Sequence, residues 1–340
     1  METCNLGPAN IVLAELSKAN VARFQVSSLR KAQWQIFNSF APYVLIWIAM
    51  VFALHISYWL MLPLAILAAG FLARIFIIFH DCGHASFFKS KRANNMLGVV
   101  AGLLNLTPYR HWRWQHGLHH GTAGDLDRRG TGDIWTLTVQ EYIQSTRWRR
   151  IAYRFARNPI ILFVIAPLYV FAVHHRFAVA NAPKRERRSV HYTNWSLLGI
   201  SIFMSAVIGL KEFLLIQLTV SAIAGAAGLW LFYVQHQFEG AYWARSGDWD
   251  YTAAALKGSS FYKLPKILQW FTGNIGFHHI HHLSPRIPNY HLERCHDSDP
   301  IFDAIKPVTL WASLKTLRFR LWDEQGNSFV GFSARKGHRR

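Results

Sequence analysis

From Ala41 to Phe79 the chain is almost continuously apolar, interrupted only by His55, Ser57 and Arg74, with Pro63 and Gly70 as local breakers. A helix needs about 20 residues to cross roughly 30 Å of hydrocarbon. The run therefore predicts two spans, 41–57 and 60–79, joined by a very short external turn near His55 to Tyr58. A second apolar region, Trp195 to Gln235, breaks at Gly209-Leu210-Lys211-Glu212 and predicts another hairpin, 195–209 and 213–235. Small residues from Ala222 to Gly228 allow a neighbouring helix to approach closely. Arg74 is costly in mid-bilayer, so it is expected to face the protein interior or reach toward the headgroups.

Two other apolar pieces fit the pattern less simply. Met96 to Leu106 is too short to span and reads as re-entrant or interfacial. Ile160 to Ala180 is long enough for a fifth crossing, but Pro159, Pro167, His174, His175 and Arg176 interrupt it, so a helix lying in the interface is expected. The pattern thus predicts an all-α integral membrane protein, with four transmembrane helices in two hairpins and a cytosolic helical cap at 80–194 and 236–299. Residues 1–40 form a cytosolic lead-in, mildly amphipathic over 11–38, and 300–340 form a cytosolic tail. No repeat or low-complexity tract appears.

Composition sharpens this picture. The chain has 340 residues, 51% of them hydrophobic, with 14 Trp and 24 Phe, as a membrane protein requires. Its 37 Lys and Arg against 18 Asp and Glu give a net charge of +19. In a soluble protein that balance would suggest nucleic acid; beside long apolar runs it suggests a cytoplasmic face lying on anionic lipid. Arg147, Arg149, Arg150, Lys184, Arg185, Arg187 and Arg188 all lie between the hairpins, whereas the short opposite turns carry almost only Lys211. Both termini and the intervening segment are therefore expected in the cytoplasm. Cys4, Cys82 and Cys295 are too few for a disulfide framework and suit a reducing compartment. Met1 to Gln25 lacks the layout of a signal peptide, so membrane entry is expected from internal segments.

Histidines carry the chemistry. His278, His281 and His282 stand at i, i+3 and i+4, as do His116, His119 and His120, while His80 and His84 are one turn apart. These offsets put side chains on one helix face, where they can point at one ion. Neutral imidazole is the commonest metal ligand, and eight such groups exceed the four of a closed structural zinc site, so two ions are expected. His236, at the cytosolic end of the last span, is a ninth candidate. His111, His174, His175, His191, His279, His291, His296 and His338 fall outside the pattern, with His279 the nearest to joining it.

His-Asp-Cys-Gly-His at 80–84, His-Gly-Leu-His-His at 116–120 and His-His-Ile-His-His at 278–282 resemble, in type and order, the three His boxes of the membrane fatty acid desaturases. The similarity runs from Ala41 to Asp323, through Arg129 to Trp135, Phe232 to His236 and Leu283 to Tyr290. Within that family the chain looks most like bacterial acyl-lipid desaturases, the Δ5 type first and the Δ12 (omega-6) type next. The resemblance implies a non-haem diiron centre held by His80, His84, His116, His119, His120, His236, His278, His281 and His282. It also implies O2 as oxidant and a cis double bond placed in a saturated acyl chain of a membrane lipid, in the bacterial cytoplasmic membrane.

A ligating imidazole needs a partner for its other nitrogen, and Asp81, Asp125, Asp127 and Glu239 are the candidates. The animal acyl-CoA enzymes of the family have an Asn four residues before the isolated His, where this chain has Phe232. Tyr109, Trp112, Trp114 and Trp135 could line an apolar slot for the substrate, although interfacial anchoring explains them as well. No His-Pro-Gly-Gly cytochrome b5 signature occurs, so electrons are expected from a separate protein, and a basic face would attract an acidic ferredoxin or flavodoxin. Two rivals stand beside this reading. One is a lipid or hydrocarbon hydroxylase built on the same centre. The other is a non-enzymatic metal transporter or sensor, which would place polar residues inside the spans rather than beyond them.

Overall fold

The computed structural model describes residues 20–333. Cys4, His338 and the lead-in before residue 20 lie outside them. Helix α1, Leu29–Ile56, is 28 residues long and begins where the Ser28 hydroxyl accepts from the Lys31 amide. No glycine or proline interrupts 29–41, so part of the expected lead-in and the first span form one helix. Ser57, extended at φ −165°, ends α1 and caps α2, Tyr58–Gly83, by accepting from the Trp59 amide. At about 1.5 Å per residue both helices exceed the roughly 30 Å hydrocarbon layer, and α2 therefore carries His80 toward the far surface.

Helices α3, Lys91–Leu104, and α4, Tyr109–Thr122, follow, and then α5, Arg147–Ala156. The Ile160 to Ala180 stretch is not one straight helix. A π-helical turn at Ile161–Ile165 leads into α6, Ala166–Ala172, and a 3-10 turn at His174–Arg176; together they meet α5 at 61°. Helix α7, Lys184–Ile208, starts well before Trp195, because no breaker follows Pro183 until Gly199, which the helix accommodates. At Gly209 the backbone takes φ +93°, which favours glycine, and α8, Leu210–His236, begins there.

Among the described residues three helices, α1, α2 and α8, are long and apolar enough to cross a membrane, and the bent 147–176 pair qualifies as a fourth, broken span. Helix α7 is not among them: after Lys184-Arg185-Glu186-Arg187-Arg188 it remains polar through His191 and Asn194, so its apolar stretch begins only at Trp195. The small-residue stretch of α8 packs against α6: a Cβ on Gly225 would lie 2.9 Å from the Pro167 Cβ. Arg74 faces the protein interior, its guanidinium 3.9 Å from the Trp270 ring centroid and donating to the Trp270 carbonyl.

Among the described residues the cap combines short helices and loops with two small sheets. Strands β1, Leu137–Thr138, β4, Leu321–Asp323, and β5, Ser328–Val330, form one in the order β1-β4-β5. Strands β2, Phe261–Lys263, and β3, Pro307–Thr309, pair in parallel as the other. Sequence beyond residue 300, read as a tail, thus pairs with the cap. Strands of two or three residues are too short to leave a periodic trace. Two of the short cap helices bear on the site: α9, His278–Leu283, and α10, Asn289–His296.

Candidate metal centre

Four helices deliver the nine histidines. His80 and His84 lie at the C-terminal end of α2, His116, His119 and His120 on α4, His236 at the last position of α8, and His278, His281 and His282 on α9. Close packing at the α2 end sets the first pair: a Cβ on Gly83 would lie 3.0 Å from Trp112, whose ring stacks on His116 at 4.4 Å.

The imidazoles gather in two groups. Donor atoms of His80, His84, His116, His120 and His281 lie within 4.8 Å of one another, and so do those of His119, His236 and His282. His278 adjoins the second group, its Nε2 3.0 Å from that of His236. All nine expected positions converge. Within the first group, Nε2 of His116 is 3.0 Å from that of His80 and 3.1 Å from that of His120, which is 3.0 Å from that of His281. In the second, Nε2 of His119 is 3.1 Å from that of His236.

These spacings suit ions. Neighbouring ligands at right angles around an ion with bonds of about 2.1 Å are about 3.0 Å apart. One ring nitrogen has a single in-plane direction to give or receive a proton, so Nε2 of His116 cannot make two ordinary hydrogen bonds toward one point. Among the described residues the buried Nε2 atoms of His84 and His282 have no hydrogen-bond partner, a cost that a cation removes. Five donors around one point also exceed a tetrahedral structural site, and an all-nitrogen set suits iron, zinc, copper and nickel. Burial, then the neighbouring imidazoles, holds the pKa values of His116, His120, His278, His281 and His282 well below the usual range, which keeps them in the neutral, ligating form.

Carboxylates fix two of the rings. Asp81 Oδ1 lies 3.3 Å from His80 Nδ1, and its Oδ2 accepts from the Asn289 amide at 2.7 Å and side chain at 2.8 Å. Gln35 of α1 donates in turn to Asn289 Oδ1 at 3.0 Å, joining the membrane hairpin to the centre. The second carboxylate was missed from sequence: Asp133 Oδ1 lies 2.8 Å from His119 Nδ1. Its signal was Gly130-Thr131-Gly132-Asp133. Gly132 takes φ +72°, and a Cβ there would be 3.3 Å from the His119 Cβ, so glycine lets the loop bring Asp133 close.

The other candidates point elsewhere. Asp125 pairs with Arg128 at 2.5 Å and accepts from Ser246, Asp127 pairs with Arg245 at 2.6 Å, and Glu239 is exposed. Among the four proposed slot aromatics, Trp112 stacks on the cluster, whereas Tyr109 donates to the Cys82 carbonyl, Trp114 lies by His111 and Trp135 packs on Tyr153. Phe232 sits 5.2 Å from the His119 ring and 5.3 Å from that of His236.

His279 turns away from the cluster, its Nε2 3.2 Å from His296 Nδ1. Burial, then His296, lowers its pKa to about 3. Below its ordinary value of about 6.5 the unfolded chain gains a proton that the folded chain refuses until about pH 3, so His279 costs nothing above that window and up to about 1.4 kcal/mol per pH unit within it. His279→Gln should therefore reduce the fall in Tm between about pH 7.5 and about pH 5 by a few degrees; an unchanged fall counts against this assignment. Gly276 sets the entry to α9, because a Cβ there would lie 2.3 Å from the Tyr262 carbonyl oxygen. Gly276→Ala should cost about 1–3 kcal/mol, read as a lower Tm of the purified protein.

Comparison with known proteins agrees with this geometry. The family model for fatty acid desaturases matches residues 56–308. A fatty acid desaturase of Bacillus subtilis is 48% identical over 316 residues, 93% of this chain and 90% of that protein. The chloroplastic omega-6 fatty acid desaturase of Spinacia oleracea is 28% identical over 305 residues, 83% of this chain and 64% of that protein. The sn-1 acyl-lipid omega-3 desaturase (ferredoxin) of Synechocystis sp. is 27% identical over 278 residues, 75% of this chain and 70% of that protein.

Proposed function

The chain belongs to the fatty acid desaturase family, and on that footing we propose that its nine clustered histidines hold two iron ions with which it places a cis double bond in an acyl chain of a membrane lipid. His80, His84, His116, His120 and His281 would hold one ion, and His119, His236, His278 and His282 the other. The observation that carries this reading is the meeting of imidazoles from four helices at spacings of 3.0 to 3.1 Å.

When bound, reducible iron together with O2 supplies the oxidising power that no side chain has for unactivated C–H bonds. Overall, the acyl chain loses two hydrogens, and with two electrons and two protons from a donor O2 becomes two waters. The protein's own groups prepare the site. Burial keeps His116, His120, His278, His281 and His282 neutral, and Asp81 and Asp133 accept from the Nδ1–H of His80 and His119, fixing tautomer and ring plane so that Nε2 faces inward. Phe232 and Trp112 lay apolar surface beside the two groups and limit water there. Phe232 also leaves no side-chain amide at the position where the animal enzymes carry Asn.

The site lies at the ends of α2 and α8, on the side of the Arg-rich segment, which supports a cytoplasmic site and cytoplasmic termini in a bacterial inner membrane. Electrons would come from a separate acidic carrier, a ferredoxin or flavodoxin, consistent with the name of the Synechocystis relative. The Δ5 or Δ12 position is proposed for the new bond. Expression in a host lacking that bond, followed by gas chromatography and mass spectrometry of derivatised methyl esters, should reveal new cis-monounsaturated chains. Hydroxy products would favour the hydroxylase.

A further inference from the structure

A cavity of about 810 Å³ opens in the cap between the 238–261 segment and the 301–319 segment, and none of the nine clustered histidines lines it. Its volume falls in the range of small-molecule sites. Three lysines line it, Lys257, Lys306 and Lys315, against one carboxylate, Glu239. The lysines are exposed, and among the described residues none of them forms an ion pair. Ser259 and Ser260 also line it, each 1% exposed, and among the described residues neither hydroxyl has a hydrogen-bond partner. Buried polar atoms are rarely left in this state without a ligand or water to meet them. Phe238, Phe261, Ile305 and Val308 supply apolar wall. The ligand that fits has an anionic group for the lysine lip and apolar surface for the walls.

Position decides between a soluble phosphate ester and a lipid. Val308 and Leu310, like Leu229, Trp230 and Leu231 near the end of α8, pack against the buried cluster of Leu162, Tyr233, Val234, Tyr262 and Leu264, and the adjoining Trp311 is 80% exposed, with Leu314 49% exposed. An exposed Trp beside the end of an apolar helix marks the membrane interface. We propose that this cavity binds the phosphate headgroup of an anionic glycerolipid, drawn from the bilayer surface. The occupant would lie beside the metal centre, since the Ser260 amide donates to the Gln235 carbonyl at 2.9 Å, one residue before His236. The site stands whether or not that lipid is the one desaturated.

Calorimetric titration of the full chain in detergent with dihexanoyl phosphatidylglycerol tests this without turnover. Saturable binding is expected, weakened at least about tenfold in K306E/K315E and unchanged in K184E/R185E, which reverses the same number of charges elsewhere. Dihexanoyl phosphatidylcholine and inorganic phosphate should each bind at least about tenfold more weakly. Inorganic phosphate binding as tightly as the lipid would overturn the lipid assignment in favour of a soluble phosphate. Absence of saturable binding, or equal weakening in both variants, would overturn the site.

Discussion

His281→Ala is expected to abolish product while the protein still accumulates in the membrane fraction. The ring is fully buried, its Nε2 lies 3.0 Å from that of His120, and its centroid is 4.4 Å from that of His80. Alanine removes one donor from a five-membered group and leaves a void that no neighbouring nitrogen can reach across. A loss of at least about 10³-fold, or about 4 kcal/mol in the barrier, follows if the group acts as a unit. Insertion depends on α1, α2 and α8, which the substitution does not touch. His119→Ala and His236→Ala should behave alike, because these two rings meet in the other group. Methyl ester analysis of the host lipids reads the outcome, and full activity in the His281 variant would remove the third box from the site.

Asp133→Ala is expected to lower metal affinity or turnover by about 10–100-fold, the usual effect of removing the carboxylate behind a ligating histidine. The residue touches no proposed ion. It acts through His119 Nδ1 at 2.8 Å, and its other oxygen accepts from the Gly130 amide at 3.2 Å, which holds the loop in place. Without it the imidazole can rotate or take the wrong tautomer. Asp127→Ala provides the contrast, since its carboxylate is partly exposed and pairs with Arg245 rather than an imidazole; surface changes of this kind stay within about 0.5 kcal/mol. Iron retained after dialysis against a chelator should separate the two variants. Equal retention would show that Asp133 does not position His119.

The histidines were legible in sequence because their offsets are local: i, i+3 and i+4 depend only on helix geometry. His236 was legible through its place at the end of an apolar run. Asp133 was not, since the distance that matters spans a loop whose course depends on two glycines with positive φ. Asp125 and Asp127 looked suitable by nearness in the chain, yet Arg128 and Arg245 had the better geometry and claimed them. The hairpins were visible as apolar runs, but the true helix ends were not: α1 and α7 extend into polar sequence because no breaker stops them there. The strands at 307–309 and 321–323 are set by partners far away in the chain, and local periodicity cannot report such pairing.

The central claim is that these imidazoles form two iron sites within one polypeptide. Iron should be counted per chain on the purified full-length protein, loaded anaerobically with ferrous iron and freed of excess. The geometry predicts a value close to two, falling in His281→Ala and in His236→Ala. A wild-type protein that retains no iron, or whose content the two substitutions leave unchanged, would contradict it.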